Sequence, residues 1–468
     1  MYDYTKIERS ERKKINAKER LANYNEIYEP YSENTAKGQA SRCIQCGIPY
    51  CATTGCPLNN NIPHWLKFIA EGNDDMAFKI SNETSPFPEI LGKICPHNRL
   101  CEGACTLNNG HGAVTIGSIE VHINESGFEK GLKPSFPKQL SDKKVAIIGS
   151  GPAGISCANF LLRAGIKPVI FEKSDEPGGL LLYGIPEFKL EKKDVFRRIQ
   201  LLTEAGMELK LNTEIGKDIS FEELQNQYDA VFMGFGATEG RVLSHEGYNS
   251  DHVYMAVPFL TNIQKSRLQK DFDPKYNVRN KHVIVIGGGD TAMDCVRTSI
   301  RAGAKSVKCV YRRDEENMPG SDKEVKAAKE EGIEFIFTTA PKHFIADEKG
   351  NIIGMKFVKT QIVSDEKSPR GKVVEVENSE FIIEADVIIL ALGFSHQKIK
   401  FLSDAGIQTN DYGGIDVDEN YQTSLQGVYA GGDMVRGADL AVNAALDGRE
   451  AALKIAEHIK QLSTATKT

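Results

Sequence analysis

Residues 144–173 read KVAIIGSGPAGISCANFLLRAGIKPVIFEK, and this stretch decides how the chain is understood. An apolar strand, VAII, runs into Gly149, Gly151 and Gly154, which open an amphipathic helix, and a second apolar strand ends at Glu172. In a dinucleotide-binding turn the first glycine permits the tight turn and the second lets the backbone approach a pyrophosphate. The third lets the helix pack on the strand. Pro152 and Ala153 begin that helix, whose free N–H groups and dipole favour an anion. Glu172 stands where a carboxylate accepts hydrogen bonds from an adenosine ribose.

The pattern recurs. From Lys281 the chain reads KHVIVIGGGDTAMDCVRTSIRAGAKSVKCVYRRD, again strand, glycine turn, helix and strand, with an identical Arg-Ala-Gly at 163–165 and 301–303. Here Gly287 and Gly289 are followed by Asp290, Thr291 and Ala292, the alanine replacing the third glycine. Val310 occupies the position of the ribose carboxylate, and Arg312 and Arg313 come just after it. A carboxylate there would repel a 2′-phosphate, whereas guanidinium groups bind phosphate through paired, charge-assisted hydrogen bonds. The first turn therefore suits FAD and the second NADPH. Further on, GVYAGGD ends a strand in Gly432 and Asp433, placing a carboxylate where a ribityl hydroxyl or flavin phosphate oxygen can be held.

The expected fold is α/β. A helical N-terminal domain (1–135) precedes two Rossmann-like dinucleotide-binding domains, the second inserted in the first. The FAD domain spans 136–264 and 390–468, and the NADPH domain 265–389. Residues 333–389 alternate like antiparallel strands. The chain has 468 residues, 40% hydrophobic, and a net charge of −6, which argues against a general nucleic-acid binder. No apolar run reaches the length of a membrane helix. The opening MYDYTKIERSERKKINAKER has no apolar core, so it is no secretory signal, and its charges suggest a solvated helix face. A cytoplasmic protein is expected, where structural disulfides are rare.

That matters because the chain has 10 cysteines, unevenly placed. Cys157, Cys295 and Cys309 fall within later helix and strand patterns and are expected to be small buried apolar residues. Cys43, Cys46, Cys51 and Cys56 form a tight run ending in Cys-Pro, and Cys95, Cys101 and Cys105 follow. Zinc sites usually present two separated pairs of ligands. Closely spaced runs ending in Cys-Pro are characteristic of iron–sulfur ligation. Seven thiols do not fill two four-iron clusters, so either one cluster has fewer irons or another residue completes it. Glu120 is the candidate, with His122 and Glu125 nearby.

Together CIQCGIPYC, GCPLNNNIPHW, PEILGKICPHNRLCEGACTL, GAVTIGSIE, VAIIGSGPAG, VIVIGGGDTAMDC and VYRRDEENMPG closely resemble the small (beta) subunit of bacterial NADPH-dependent glutamate synthase. The same architecture occurs in the N-terminal half of dihydropyrimidine dehydrogenase and in the large subunit of NADH-dependent ferredoxin:NADP reductases. The resemblance implies two [4Fe-4S] clusters, one held by Cys43, Cys46, Cys51 and Cys105, the other by Cys56, Cys95, Cys101 and Glu120. In dihydropyrimidine dehydrogenase the position of Glu120 is a glutamine, and the Cys51–Cys56 loop is one residue shorter. Electrons are expected to pass from NADPH through FAD and the clusters to a large (alpha) subunit carrying FMN and an iron–sulfur cluster, which makes glutamate from glutamine and 2-oxoglutarate. No catalytic side-chain acid or base is required, because the cofactors perform the chemistry. Two other readings are a reductase of the same build serving ferredoxin, sulfur compounds or electron bifurcation, and a non-catalytic zinc scaffold. Iron and acid-labile sulfide content separates the last from the others.

Overall fold

A computed structural model describes residues 1–243, 252–365 and 368–465. Two parallel five-stranded sheets form its framework. The first has the order Val428–Ala430, Ala230–Met233, Lys144–Ile148, Lys167–Phe171, Glu208–Lys210. Its central strand is buried on both faces, as an uninterrupted run of valine, alanine and isoleucine requires. The register sets Ile148 beside both Phe171 and Met233, so three strand ends lie level at the glycine turn. The edge strand Val428–Ala430 comes from the far end of the chain, so the second unit is inserted in the first.

The second sheet runs Val253–Met255, Val387–Leu390, His282–Ile286, Ser306–Val310, Glu334–Ile336. Its edge strand, pairing Ile388 with Val253, begins ahead of the boundary at 265 expected from the sequence. A three-residue strand is too short to register as a periodicity. Strands Thr339–Ala346, Ile352–Asp365, Ser368–Glu375 and Phe381–Glu384 form the expected antiparallel sheet. A two-stranded ribbon, Phe394–Ser395 against Glu239–Gly240, lies where the chain passes between the two larger sheets. Helix Ala441–Ala465 packs on helix Pro152–Arg163 so closely that a Cβ at Gly448 would stand 2.1 Å from the Ala153 carbonyl oxygen.

The N-terminal region is helical, with segments Glu33–Ser41, Ile62–Ala70, Asp74–Thr84, Pro88–Ile94 and Ile116–Glu129 around a core that includes Trp65 and Ile119. It is tied to the first dinucleotide unit by the buried pair Arg198–Glu89 and by Lys93, which meets Glu26, Glu191 and Asp194. The charged opening segment departs from expectation. Only Asp3–Thr5 and Ala17–Leu21 are helical, and several of the charges find partners elsewhere in the chain. Arg20 is buried against Glu330 and Glu331, Lys14 meets Glu330, and Arg9 meets Glu102. Glu331 also receives Arg297 and Arg301, whose guanidinium groups lie 4.5 and 4.0 Å from the Phe188 ring centroid. No helix among the described residues is long and apolar enough to cross a membrane.

Candidate cofactor and electron-transfer site

The first glycine turn is built as the sequence predicts. A Cβ at Gly154 would stand 2.0 Å from the carbonyl oxygen of Gly149, so only glycine lets this helix approach the turn. Gly151 instead faces open space at the N-terminus of the helix begun by Pro152 and Ala153, leaving room for a phosphate. Glu172 is buried and also braces the turn. Its Oε2 accepts from the Ser150 amide at 3.0 Å and the Ser150 hydroxyl at 2.6 Å, and its Oε1 from the Ser174 amide at 2.8 Å. Both oxygens keep further acceptor capacity for a ribose. Across the turn, the Gly432 amide donates to Asp447 at 2.8 Å, and Asp447 also receives Arg436. Burial pushes the Asp433 carboxyl up to about 7.

The second turn repeats the geometry. Gly287 follows the strand that ends at Ile286, Gly289 faces open space, and Ala292 is buried at the position of the third glycine. Asp290 accepts from the Ser321 amide at 2.9 Å, with Thr291 beside it. Arg312 is exposed, and its guanidinium has no partner among the described residues. Arg313 is half-buried and donates to the Gly371 carbonyl at 3.1 Å. Arg370, on the same hairpin as Gly371, donates to the Tyr311 hydroxyl at 2.8 Å. That third guanidinium is far away in sequence, so no local motif announced it.

A cavity of ≈ 670 Å³ joins these parts. Gly149, Gly151, Glu172 and Asp433 line it on the first unit, and Asp290 and Thr291 on the second. Cys95 and His97 line it from the N-terminal region. Arg312 and Arg313 lie outside that lining, beyond the end of strand Ser306–Val310.

Behind Cys95 lies a second, much smaller pocket, lined by Cys56, Cys95, Cys101 and Glu120. Cys95, His97 and Val442 line both spaces and so form the partition between them. Burial pushes the Cys56 thiol up to about 11 and those of Cys95 and Cys101 well above their usual range. Such thiols become thiolates only when metal supplies compensating charge, so the donor set fits an iron–sulfur cluster. Glu120, from helix Ile116–Glu129, is also buried. Burial and the nearby Glu89 charge push its carboxyl up to about 8, opposed by a 2.7 Å hydrogen bond from Asn60. Asn60 is a site residue that sequence reasoning missed. Its Oδ1 accepts from Trp65 and Thr84, each at 3.3 Å, fixing the amide that addresses Glu120.

The other four thiols gather separately. Cys43, Cys46 and Cys105 act electrostatically on Cys51, whose thiol burial pushes up to about 12. Gln45 donates to the Cys43 sulfur from its amide at 3.5 Å and its side chain at 3.3 Å, and Cys46 meets the Thr106 hydroxyl at 3.3 Å. Ile48 and Tyr50, between Cys46 and Cys51, are 64% and 51% exposed, so this group lies near the surface. Cys157, Cys295 and Cys309 are fully buried in the sheet-and-helix cores, as expected. Among the described residues no three His, Cys, Asp or Glu side chains are arranged to hold a single metal ion.

Comparisons with known proteins match two stretches of the chain to described families. Residues 143–448 match the family described as pyridine nucleotide-disulphide oxidoreductase. Residues 20–132 match the family described as dihydropyrimidine dehydrogenase domain II, 4Fe-4S cluster. The chain is 46% identical to the glutamate synthase [NADPH] small chain of Escherichia coli over 460 residues, 97% of each protein. It is 43% identical to the putative oxidoreductase AegA of the same organism, over 95% of this chain and 69% of that protein. Among solved structures, Mycobacterium tuberculosis FprA in complex with NADPH is similar in fold (TM-score 0.56, 17% identity, 70% of this chain and 86% of that one). With such identity to the small chain along nearly its whole length, this chain belongs to the family of glutamate synthase [NADPH] small chains.

Proposed function

We propose that this chain is an NADPH-dependent flavin and iron–sulfur oxidoreductase, the small subunit of a glutamate synthase. It passes electrons from NADPH, by way of FAD and two [4Fe-4S] clusters, to a large subunit that carries FMN and an iron–sulfur cluster and makes glutamate. The observation that carries this reading is the cavity on which the first glycine turn, Asp290 and Thr291 of the second turn, and Cys95 converge. When bound, these groups supply hydride transfer and single-electron transfer.

The protein's contribution is placement. Gly149, Gly151, Pro152, Ala153 and Gly154 cradle the FAD pyrophosphate, Glu172 receives the adenosine ribose, and Gly432 with Asp433 addresses the ribityl end. Gly287, Gly289, Asp290, Thr291 and Ala292 cradle NADPH, and Arg312 and Arg313 recognise its 2′-phosphate. Cys56, Cys95, Cys101 and Glu120 form the cluster site next to the cavity, since Cys95 borders both spaces. Cys43, Cys46, Cys51 and Cys105 form the outer one, beside exposed Ile48 and Tyr50, where a partner can receive electrons.

The test is to purify the chain natively and anaerobically, measure FAD, iron and acid-labile sulfide, and identify what accompanies it. Expected are both cofactor types, reduction of artificial dyes by NADPH, and a large partner with FMN. Cofactor-loaded protein that reduces no dye with NADPH would sink the oxidoreductase reading. A small flavoprotein partner, or none, would redirect the electrons away from glutamate synthesis while leaving the cofactor sites standing.

A further inference from the structure

Six arginines are buried among the described residues: Arg20, Arg42, Arg198, Arg297, Arg301 and Arg449. Five of them meet a glutamate, through the pairs Arg20–Glu331, Arg198–Glu89, Arg297–Glu331, Arg301–Glu331 and Arg449–Glu450. Arg42 is the exception. It is fully buried, and its guanidinium donates only to backbone carbonyls: Ile7 at 3.0 Å, Ala113 at 2.9 Å, His111 at 2.6 Å and Gly112 at 2.9 Å. The neighbouring Arg9 shares the Ala113 carbonyl but has Glu11 and Glu102 for neutralisation.

A buried arginine cannot shed its proton, and a buried cation without an anion is costly. The carbonyls, and the C-terminus of helix Glu33–Ser41 on which Arg42 sits, offset part of its charge through their dipoles. A net charge remains. Arg42 directly precedes Cys43, and the thiol of Cys105 is close enough to act on it electrostatically. The anion this site lacks is therefore the set of thiolates that forms when the outer group of cysteines is metallated.

We infer that Arg42 is the buried counter-charge of the Cys43, Cys46, Cys51 and Cys105 site and raises the reduction potential of the cluster held there. This rests on the two-cluster reading above. Adding one electron makes the site more anionic, so an adjacent cation in a low dielectric favours the reduced form. The inner group has a buried arginine nearby in Arg449, but that one is neutralised by Glu450. The asymmetry makes the outer cluster the better acceptor and directs electrons toward the surface.

The experiment is a dithionite titration of the intact chain followed by electron paramagnetic resonance, comparing wild type with R42M and R42K. The outer signal is identified as the one whose g-values E120Q leaves unchanged. R42M is expected to lower the midpoint of that signal by at least a tenfold change in its reduction equilibrium, ~59 mV for one electron. The inner signal should stay in place, and R42K should remain near wild type. An unmoved midpoint in R42M, equal shifts in both signals, or a shift in R42K as large as in R42M would overturn the inference. Should R42M fail to load, Gly112 offers a second route, because a Cβ there would stand 4.0 Å from Arg42 Nη2, with the flexible Arg9 side chain, 3.2 Å away at Cδ, giving way. Its φ of +70 is one that aspartate and asparagine tolerate better than most residues. G112D should then lower the outer midpoint and G112N should not, and an unshifted G112D would overturn the inference. A wild-type protein without two cluster signals would defeat the two-cluster reading itself, whereas two signals with an unmoved R42M would defeat only the role of Arg42.

Discussion

Glu172 shows how one side chain serves two ends. Its three accepted hydrogen bonds hold Ser150 and Ser174 in place around the glycine turn, while the carboxylate borders the cavity. Truncation in E172A leaves the buried Ser150 hydroxyl without its 2.6 Å acceptor, at a cost of about 1–3 kcal/mol, and removes the carboxylate proposed above to receive the ribose. Flavin affinity should fall by tenfold or more, measured as free FAD at equilibrium after gel filtration. The two arginines of the second turn are not equivalent. Arg312 is free of partners among the described residues, so R312A should raise the Michaelis constant for NADPH about tenfold, that for NADH little, and leave thermal stability unchanged. Arg313 anchors the Gly371 hairpin, so R313A should lower the melting temperature as well as NADPH affinity. Equal effects of R312A on the two nucleotides would refute the 2′-phosphate role.

At the scale of elements, helices Pro152–Arg163 and Ala441–Ala465 meet with no room for a side chain at Gly448, where a Cβ would meet the backbone of the facing helix at two points: 2.1 Å from the Ala153 oxygen and 3.0 Å from the Cys157 amide. Backbone cannot yield as a flexible side chain does, so G448A should destabilise by about 1–3 kcal/mol and weaken flavin retention, read by thermal unfolding with flavin fluorescence. The glycine turns, the repeat and the cysteine run were legible in the sequence because each is a local pattern set by period or spacing. What escaped was set by tertiary packing. Nothing in NNNIPHW announces that Asn60 addresses Glu120 across the small pocket, and the strand Val253–Met255 is too short to carry a period. The charged N-terminal segment resembled a solvated helix because sequence alone does not reveal that Arg20 meets Glu330 and Glu331, over three hundred residues downstream.

For the whole molecule, Glu331 is the junction of the N-terminal segment and the second dinucleotide unit, receiving Arg20, Arg297 and Arg301 while Phe188 of the first unit lies beneath two of them. Burial pushes its carboxyl up, but hydrogen bonds from Arg301 and Arg297 and their charges prevail and hold it at about 2, below its ordinary 4.5. A carboxylate depressed on folding stabilises the native state above its unfolded value, and that stability drains away as pH falls from about 4.5 toward 2. E331Q should therefore unfold more easily at pH 7, by roughly 3–5 kcal/mol for a broken buried pair. It should also show a shallower loss of stability below pH 4.5 than wild type, checked by urea unfolding across that range.

The first sheet is completed only by Val428–Ala430, and the strand it pairs with, Ala230–Met233, leaves the ribosome about two hundred residues earlier. The inserted unit, by contrast, closes its own sheet once Val387–Leu390 has been made. Synthesis at ~5–20 residues per second thus gives the inner unit a lead of a few seconds, while the unit begun first waits with an unpaired strand edge. A message truncated before residue 428 would yield a protein with a finished nucleotide domain and an open, association-prone sheet beside it.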